Sequence, residues 1–302
     1  MQQHKKILAV LCAALCVLAL AGCASTAASA PGTLTDLAGR GVTLDKTPET
    51  LVSLTASTTE TLFALGLGGK VIGVDESSNY PAEAADIAKI GDFSGPNVEK
   101  IVDLAPDLVL AGNKLQTDAM TSLDAVGVTN AATEATDYAG IYDSIALIGK
   151  MTGATGEADK LVADIKARED AVTAKVAGKE VPTVYIIISY GEYGNWTSGP
   201  GSYYNDIVTK AGGVCVTDTV DPSAPWMELD MEKIMELDPD IILLADGFST
   251  ADALTAVNGY QDMRAVLDGK VFVVDADVMS RPGPRVIEAL ETVAKILHPD
   301  AF

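Results

Sequence analysis

The chain has few histidines and no phosphate-binding motif, and each of these shortages excludes a class of function. The only histidines are His4 and His298, so no Ser-His-Asp arrangement, HExxH zinc site or Cys/His cluster can be assembled. The sequence has no P-loop, and any ATP hydrolysis must therefore belong to a partner. We expect a protein that is not an enzyme and that has neither a metal site nor a cofactor of its own.

Positive charge is also in short supply. The sequence has 21 Lys and Arg against 42 Asp and Glu, which gives a formal net charge of −21. Binding to nucleic acid needs a basic patch that neutralises phosphates, so we expect no nucleic-acid partner. Aromatic residues make up only 5% of the sequence, which gives weight to the position of each one.

The chain has one long apolar run, Ile7–Leu20, preceded by Lys5 and Lys6. This layout is typical of a cleaved export signal, and the run is too short to span a bilayer comfortably. A transmembrane anchor or a buried core helix is the alternative. The run leads into Leu-Ala-Gly-Cys at 20–23, which resembles the bacterial lipobox. That resemblance implies a signal peptide over 1–22 and a lipid attached to Cys23.

Small and polar residues follow the lipobox, and they predict a flexible tether over 23–32. We therefore expect an extracytoplasmic protein that the lipid on Cys23 anchors to the cell membrane. Cys12 and Cys16 would leave with the signal peptide, so only Cys215 would remain as a thiol. No internal disulfide is then expected.

An internal repeat predicts how the rest of the chain is organised. The sequence VEKIVDLAPDLVL at 98–110 recurs as MEKIMELDPDIIL at 231–243, an offset of 133 residues without a gap. In each copy a short helix with one apolar face is ended by a proline, and an apolar strand follows at once. The chain therefore contains two similar α/β halves.

Short continuous apolar runs predict parallel strands that are covered on both faces. They are Leu51–Leu54, Val71–Val74, Leu108–Leu110 and Val128–Ala131, then Val184–Ile188, Val214–Val216, Ile241–Leu244 and Val271–Val274. A long amphipathic helix from Thr155 to Gly178 separates the two sets. The predicted fold is α/β, with two doubly wound lobes at 33–154 and 180–302, a single helix at 155–179 between them, and a ligand cleft between the lobes.

Over most of the chain from Leu34 to the last residue, the sequence resembles the helical-backbone class of substrate-binding proteins of ABC importers, which carry vitamin B12, ferric siderophores or haem. The motifs that carry the resemblance are Asp36–Arg40, Ser53–Glu60, Leu62–Gly66, Gly73–Val74, Asn79–Pro81, Gly91–Phe93, Pro96–Glu99, both Pro-Asp repeats, Arg281–Arg285 and His298–Pro299. The resemblance implies a monomer that holds a small-molecule ligand between its lobes and works with an ABC permease and its ATPase subunit.

The resemblance also implies that one surface glutamate on each lobe docks onto arginines of the permease. These glutamates match Glu99 and Glu232, which occupy equivalent positions in the internal repeat. Two carboxylates, one on each lobe, suit a symmetric partner. The alternative is that each glutamate only favours the first turn of its helix, where negative charge suits the helix dipole.

Several aromatic residues fall in loops rich in glycine, proline, serine and asparagine. They are Tyr80, Phe93, Trp196, Tyr203, Tyr204 and Trp226. Loops at strand ends are where α/β folds bind ligands, and large flat rings suit a corrin, a porphyrin or a catecholate chelate. The alternative is that each ring packs within its own lobe, and for Tyr203 and Tyr204 this is the favoured interpretation.

Within the family, the local resemblance is strongest to the vitamin B12-binding members, so we expect a corrinoid or a similar cobalt or iron chelate. The implied ligand-binding residues are Thr55, Ser57, Tyr80, Phe93, Trp196, Trp226, Met279 and Arg281. Phe93 stands where an indole is expected, and Val278 or Met279 stands where an aromatic ring is expected, so a different macrocycle stays open. Arg285 is expected to have a structural role near the last helix.

Two alternatives to a corrinoid carrier remain. Haem or a ferric siderophore could be the ligand of the same kind of importer protein, with Tyr80, Tyr203 or Met279 as a haem ligand. A lipid-anchored sensor or adhesion domain could instead use the same fold without transport.

Overall fold

The structure is a computed structural model that describes residues 32–112, 114–245, 247 and 250–302. The predicted signal peptide at 1–22, the lipidation site Cys23 and all of the tether except Gly32 lie outside the described residues. Among the described helices, none has the length and apolar character needed to cross a membrane.

The N-terminal lobe is built on a parallel sheet that follows a small antiparallel hairpin. The hairpin pairs β1 (Thr33–Thr35) with β2 (Gly41–Thr43). The sheet contains β3 (Leu51–Ser53), β4 (Val71–Val74), β5 (Leu108–Ala111) and β6 (Asn130–Ala132), in the order β4-β3-β5-β6. Its helices are α1 (Ala56–Ala64), α2 (Val98–Leu104), α3 (Thr117–Ala125) and α4 (Tyr138–Thr152).

The long helix α5 (Thr155–Val176) leads to the C-terminal lobe. Its parallel sheet contains β7 (Thr183–Ile187), β9 (Val214–Cys215), β11 (Ile241–Leu244) and β12 (Val271–Val273), in the order β12-β11-β7-β9. A separate antiparallel ribbon pairs β8 (Trp196–Ser198) with β10 (Trp226–Glu228). The helices are α6 (Tyr203–Lys210), α7 (Met231–Leu237), α8 (Ala251–Thr255), α9 (Arg264–Leu267), α10 (Ala276–Ser280) and α11 (Val286–Leu297).

Both sheets have the same strand order. In each lobe the first strand of the sheet lies between the second and the third, and the fourth strand lies at the far edge. This confirms the α/β fold class with two similar lobes that the internal repeat predicted. The repeated segments are α2 with β5 and α7 with β11.

The repeated helices begin and end in the same way. The side chain of Asn97 caps α2 by accepting a hydrogen bond from the backbone of Lys100, and Asp230 caps α7 in the same way. Their last turns close on Ala105 (φ 47°) and Asp238 (φ 33°), which are the only non-glycine residues with positive φ in the part of the chain that the structure describes. The proline that follows each one has no N–H to donate, so the helix cannot continue.

A further pair of contacts extends the repeat beyond the matching segments. The Asp107 carboxylate accepts hydrogen bonds from the backbone N–H and hydroxyl of Thr50, and its own N–H donates to that hydroxyl over 2.9 Å. Asp240 forms the same three bonds with Thr183. Since Thr50 and Thr183 are also separated by 133 residues, this Thr–Asp clasp belongs to both halves. It fixes the start of each lobe's first strand to the strand of the Pro-Asp motif.

Side chains on the two faces of each sheet enter different hydrophobic clusters. Leu108 and Leu110 on β5 face a cluster that contains residues of both lobes, whereas Val109 and Ala111 face a cluster confined to the N-terminal lobe. Strands β7 and β11 alternate in the same way between the shared cluster and a cluster confined to the C-terminal lobe. The period of two explains why the strands read as continuous apolar runs.

The shared cluster joins the lobes through four helices. Helix α5 packs against α4 of the first lobe and against α6 and α11 of the second, and it buries Ile165 and Val172. The Arg168 side chain on α5 also forms two hydrogen bonds of 2.9 Å with Glu291 on α11.

Cys215, the free thiol of the described chain, is 2% exposed, and burial raises its pKa.

The clasp generates a prediction about acid stability. Hydrogen bonds from the Lys46 side chain and the backbone N–H groups of Glu49 and Thr50 lower the pKa of Asp107 to about 2. Because this value is below the ordinary 3.8, the stabilisation is present above about pH 4 and is lost as the pH falls through about 2. We expect Asp107→Ala to lower the free energy of unfolding at pH 7 by about 1–2 kcal/mol.

Urea denaturation at pH 7 and at pH 2.5 measures this effect, and the difference between Asp107→Ala and the parent protein should shrink at the lower pH. Asp103→Ala on α2 is the matched control, since Asp103 is exposed. An equal loss of stability in both variants at pH 7 would contradict a specific role for the clasp.

Candidate functional site

A cavity of about 400 Å³ lies between the two lobes. The N-terminal lobe lines it with Thr55, Ala56, Ser57, Asp75, Ser77, Phe93, Leu115, Glu134, Ala135 and Thr136. The C-terminal lobe lines it with Tyr203, Trp226, Asp277, Ser280, Arg281 and Pro282. Thr55, Asp75 and Glu134 come just after strands β3, β4 and β6, so the cavity lies at the carboxyl edge of the first sheet, where α/β folds bind ligands.

The start of α1 forms a polar wall of the cavity. Thr55 is the N-cap residue, and its hydroxyl accepts a hydrogen bond from the backbone N–H of Thr58. The Ser57 hydroxyl lies 3.1 Å from the Thr55 hydroxyl and donates to the Glu134 carboxylate over 3.1 Å. These contacts hold Thr55 and Ser57, both predicted ligand-binding residues, in fixed positions at the cavity.

Acidic residues outnumber basic ones in the cavity wall. Asp75, Glu134 and Asp277 line it, and Arg281 is the one cation among the described lining residues. Burial raises the pKa of Asp75, although hydrogen bonds from the hydroxyl of Ser78 and the backbone N–H of Ser77 act in the opposite direction. The side chains of the wall therefore carry more negative than positive charge.

The positive charge of Arg281 is already neutralised by protein groups. Its guanidinium lies 2.8 Å from a carboxylate oxygen of Glu60 and 2.7 Å from Asp277. It also donates to the side-chain oxygen of Asn79 over 2.8 Å and to the backbone carbonyl of Ser77 over 3.1 Å. Arg281 therefore lies in the cavity wall, as a ligand-binding residue would, but it is not a free cation that waits for an anionic ligand.

Three aromatic rings form one cluster beside the cavity. The ring centres of Tyr203 and Tyr204 are 5.0 Å apart. The Trp226 ring packs edge-on against both, with its centre 5.8 Å from that of Tyr203 and 5.4 Å from that of Tyr204. The Tyr203 hydroxyl donates to the backbone carbonyl of Ser280 over 2.8 Å, and burial raises its pKa well above the ordinary value. This arrangement fixes the position of the Trp226 indole, which is 41% exposed.

The predicted ligand-binding residues divide into two groups. Five of them line the cavity: Thr55, Ser57, Phe93, Trp226 and Arg281. Three are not among the described lining residues: Tyr80, Trp196 and Met279. For all eight residues a role in ligand binding stays a prediction.

Tyr80 and Trp196 lie near the site but outside the cavity. The Tyr80 ring is exposed and stacks against the Arg285 guanidinium, which is 4.2 Å from the ring centre. Arg285 also pairs with Glu60, in agreement with the structural role predicted for it. Trp196 lies diagonally across the β8–β10 ribbon from Trp226, and the register places both side chains on the same face. A ligand that extends beyond the cavity along this face would contact Trp196.

Met279 points away from the cavity. It is 1% exposed and belongs to the hydrophobic cluster that both lobes share. On α10 and just after it, Asp277, Ser280 and Arg281 follow the helical spacing i, i+3 and i+4 that places side chains on one face. Met279 lies on the opposite face, which explains why the structure does not bring it to the cavity.

The sequence prediction missed Glu60, Asp75, Glu134 and Asp277, and it favoured packing within one lobe for Tyr203. Asp75 and Glu134 each follow an apolar strand, and this signal could have placed them at the ligand edge of the sheet. Glu60 is 3% exposed on a helix whose other early residues are apolar or hydroxylic. A carboxylate in such a segment needs a partner from elsewhere in the chain.

Glu99 and Glu232 occupy matching places on the surface. Each is the second residue of its helix, α2 or α7, and each is exposed. This placement is compatible both with permease docking and with a favourable interaction with the helix dipole.

Among the described residues, no group of three or more His, Cys, Asp or Glu side chains has the arrangement needed to hold a metal ion.

Comparison with known proteins identifies relatives over most of the chain. Residues 51–278 match the family described as periplasmic binding protein. The Bacillus subtilis protein YvrC, called an uncharacterized ABC transporter substrate-binding lipoprotein, is 34% identical over 279 residues, which cover 90% of this chain and 87% of that protein. A cobalamin-binding protein of Halobacterium salinarum is 30% identical over 285 residues, which cover 91% of this chain and 76% of that protein.

A solved structure supports the fold. The periplasmic haem-binding protein RhuT from Roseiflexus sp. RS-1, in its apo form, superposes with a TM-score of 0.77 and 24% sequence identity, over 84% of this chain and 99% of that chain. At this identity the likeness concerns the two-lobed fold alone.

Proposed function

Because this chain belongs to the periplasmic binding protein family, we propose that it captures a corrinoid outside the cytoplasm and delivers it to an ABC permease. At the level of the family it is a transporter substrate-binding protein and not an enzyme. In the proposed cycle no covalent bond changes: the ligand enters the cleft, the lobes dock on the permease, and the ligand is released as the permease separates the lobes.

The acidic and aromatic lining of the cavity is the observation that carries the choice of ligand. Corrinoids present a flat ring edged with carboxamide groups, whose N–H groups donate hydrogen bonds. The carboxylates of Asp75, Glu134 and Asp277 can accept such bonds, and the Trp226 indole offers an apolar surface to the ring. Phe93 lies in the wall contributed by the other lobe.

Anionic chelates fit the same wall poorly. The two propionates of haem, or the trianionic ferric catecholates, would be brought close to the carboxylates of Asp75 and Glu134 in a partly desolvated cleft, and like charges repel strongly there. Arg281 offers little compensation, because Glu60 and Asp277 already share its charge.

Haem also lacks an accessible axial ligand among the described residues of the cavity. Tyr203 donates its hydroxyl proton to Ser280, and its raised pKa disfavours the phenolate that binds haem iron. Tyr80 lies outside the cavity and Met279 is buried in the shared core. Uncharged ferric hydroxamates do not suffer from the charge repulsion, so they are the second candidate ligand.

Titration of the detergent-purified full chain with cyanocobalamin, haemin, a ferric hydroxamate and a ferric catecholate tests the proposed ligand. We expect cyanocobalamin to bind most tightly, with calorimetry as the measurement. Trp226→Ala should weaken binding at least about tenfold, because the ligand would cover the exposed indole, and a tryptophan buried on binding contributes about 2 kcal/mol or more. Tyr193→Ala is the control, since Tyr193 is 75% exposed on the same lobe. Tighter binding of haemin than of cyanocobalamin would contradict the proposal.

We propose that Glu99 and Glu232 contact arginines of the permease. The double variant Glu99→Ala with Glu232→Ala should reduce uptake of the ligand to background while the Kd for the ligand stays the same, because both carboxylates lie outside the cavity. Asp103→Ala with Glu236→Ala is a matched control, as these exposed residues lie on the same two helices with the same 133-residue offset. Unchanged uptake in the Glu99/Glu232 variant would contradict the docking role, whereas absence of uptake by the parent protein would favour a sensor or adhesion domain.

We also propose that a lipid on Cys23 holds the protein at the cell membrane, as the lipobox-like sequence indicates and as the lipoprotein name of YvrC supports. Metabolic labelling with a radioactive fatty acid tests this proposal: the parent protein should incorporate the label, and Cys23→Ala should not. Cys215→Ala, which changes a buried thiol of the C-terminal lobe, should leave the incorporation as it is. Incorporation of the label by Cys23→Ala would contradict the lipid anchor.

A further inference from the structure

Glu60 is a buried carboxylate of one lobe whose positive partners both belong to the other lobe. It lies on α1 in the N-terminal lobe and is 3% exposed. Arg285 binds both of its oxygens, with distances of 2.8 and 2.6 Å, and Arg281 adds a third contact of 2.8 Å. The two arginines lie on either side of the loop between α10 and α11.

Backbone contact supports this pairing. Gly283, between the two arginines, lies so close to the start of α1 that a Cβ atom there would be 3.1 Å from the carbonyl oxygen of Ser57. Pro282 and Pro284 flank Gly283 and restrict the loop. The arginines are therefore held over Glu60 by a loop that contacts α1 directly.

Additional contacts cross between the lobes at the same edge. Asn79 of the N-terminal lobe accepts from Arg281 and donates to Asp277 over 3.1 Å, and Arg281 also reaches the Ser77 carbonyl. The Tyr80 ring covers the outer face of Arg285. Glu60 is the centre of this cluster, because it alone among the described residues accepts from both arginines.

Separation of the lobes at this edge would break the three hydrogen bonds that Glu60 accepts from Arg281 and Arg285, and hydrogen bonds between charged groups of this kind are among the strong ones. The Arg281 guanidinium that binds Glu60 also lines the ligand cavity. We propose that Glu60 is a positioning residue that sets the width of the cleft by holding the Arg281–Arg285 loop of one lobe on α1 of the other. Its effect on ligand binding rests on the proposed function, whereas its effect on the cleft does not.

The chain provides a direct optical test, because its only two tryptophans, Trp196 and Trp226, both lie on the β8–β10 ribbon. In a Trp196→Phe background, the cavity residue Trp226 is the only tryptophan that emits. The Glu60→Gln amide keeps the shape of the side chain but removes its charge and replaces an acceptor with a donor, so it should no longer hold the two arginines and the cleft should widen. Because a wider cleft exposes Trp226, we expect the variant to raise the acrylamide quenching constant of Trp226 in the absence of ligand.

Glu291→Gln is the matched control. It removes a carboxylate that also forms two hydrogen bonds with one arginine, but the pair joins α5 to α11 away from the cavity. Quenching in this variant should equal that of the parent. If Glu60→Gln fails to fold, as judged by circular dichroism, Arg285→Gln takes its place, since it leaves Glu60 paired with Arg281. Arg285→Lys should give a smaller increase, because it keeps the charge but loses the two-bond geometry.

The affinity for cyanocobalamin, measured with both tryptophans present, provides the second readout. If Glu60→Gln lowers the population with a correctly spaced cleft to about a tenth, the Kd rises about tenfold. Quenching that is unchanged in folded Glu60→Gln or Arg285→Gln, or that rises equally in Glu291→Gln, would overturn the inference. Absence of cyanocobalamin binding in the parent protein would count against the proposed ligand and would leave the quenching test intact.

Discussion

The structure depends on the need to cover both faces of two parallel sheets. Each sheet places alternate side chains on opposite faces, and one face of each is covered by helices of its own lobe. The other faces meet in a single hydrophobic cluster that α4, α5, α6 and α11 complete. Because both lobes contribute to this cluster, it ties them together on one side.

The cleft is the part of the interface that this cluster does not fill. Apolar packing holds the lobes together on one side of it, and the ion pairs of Glu60 hold them together near the cavity wall. The wall itself contains carboxylates, hydroxyls and a fixed indole, and the proposed choice of ligand rests on charge and hydrogen bonding as much as on shape. An acidic wall also suits a protein whose ligand carries donor groups and no excess of negative charge.

The sequence was sufficient to predict those parts of the fold that depend on neighbouring residues. Apolar runs such as Val71–Val74 and Ile241–Leu244 match the observed strands residue for residue, and the gapless repeat identified the two halves. The Glu60 cluster could not be predicted in the same way, because its arginines are 221 and 225 residues away in the chain. Met279 shows a different limit: the neighbouring Arg281 reaches the cavity, but a turn of helix directs Met279 into the core.

The long separation between Glu60 and its arginines has a consequence for the order of folding. During synthesis and export the N-terminal lobe emerges first, and domains generally fold as they appear. Helix α1 would then carry a carboxylate with no counter-charge until the last part of the chain, from α10 onwards, arrives and docks. The cleft is therefore completed only when this last segment docks, and a chain cut short before residue 281 would lack both α11, which helps to cover the two sheets, and the closing edge of the site.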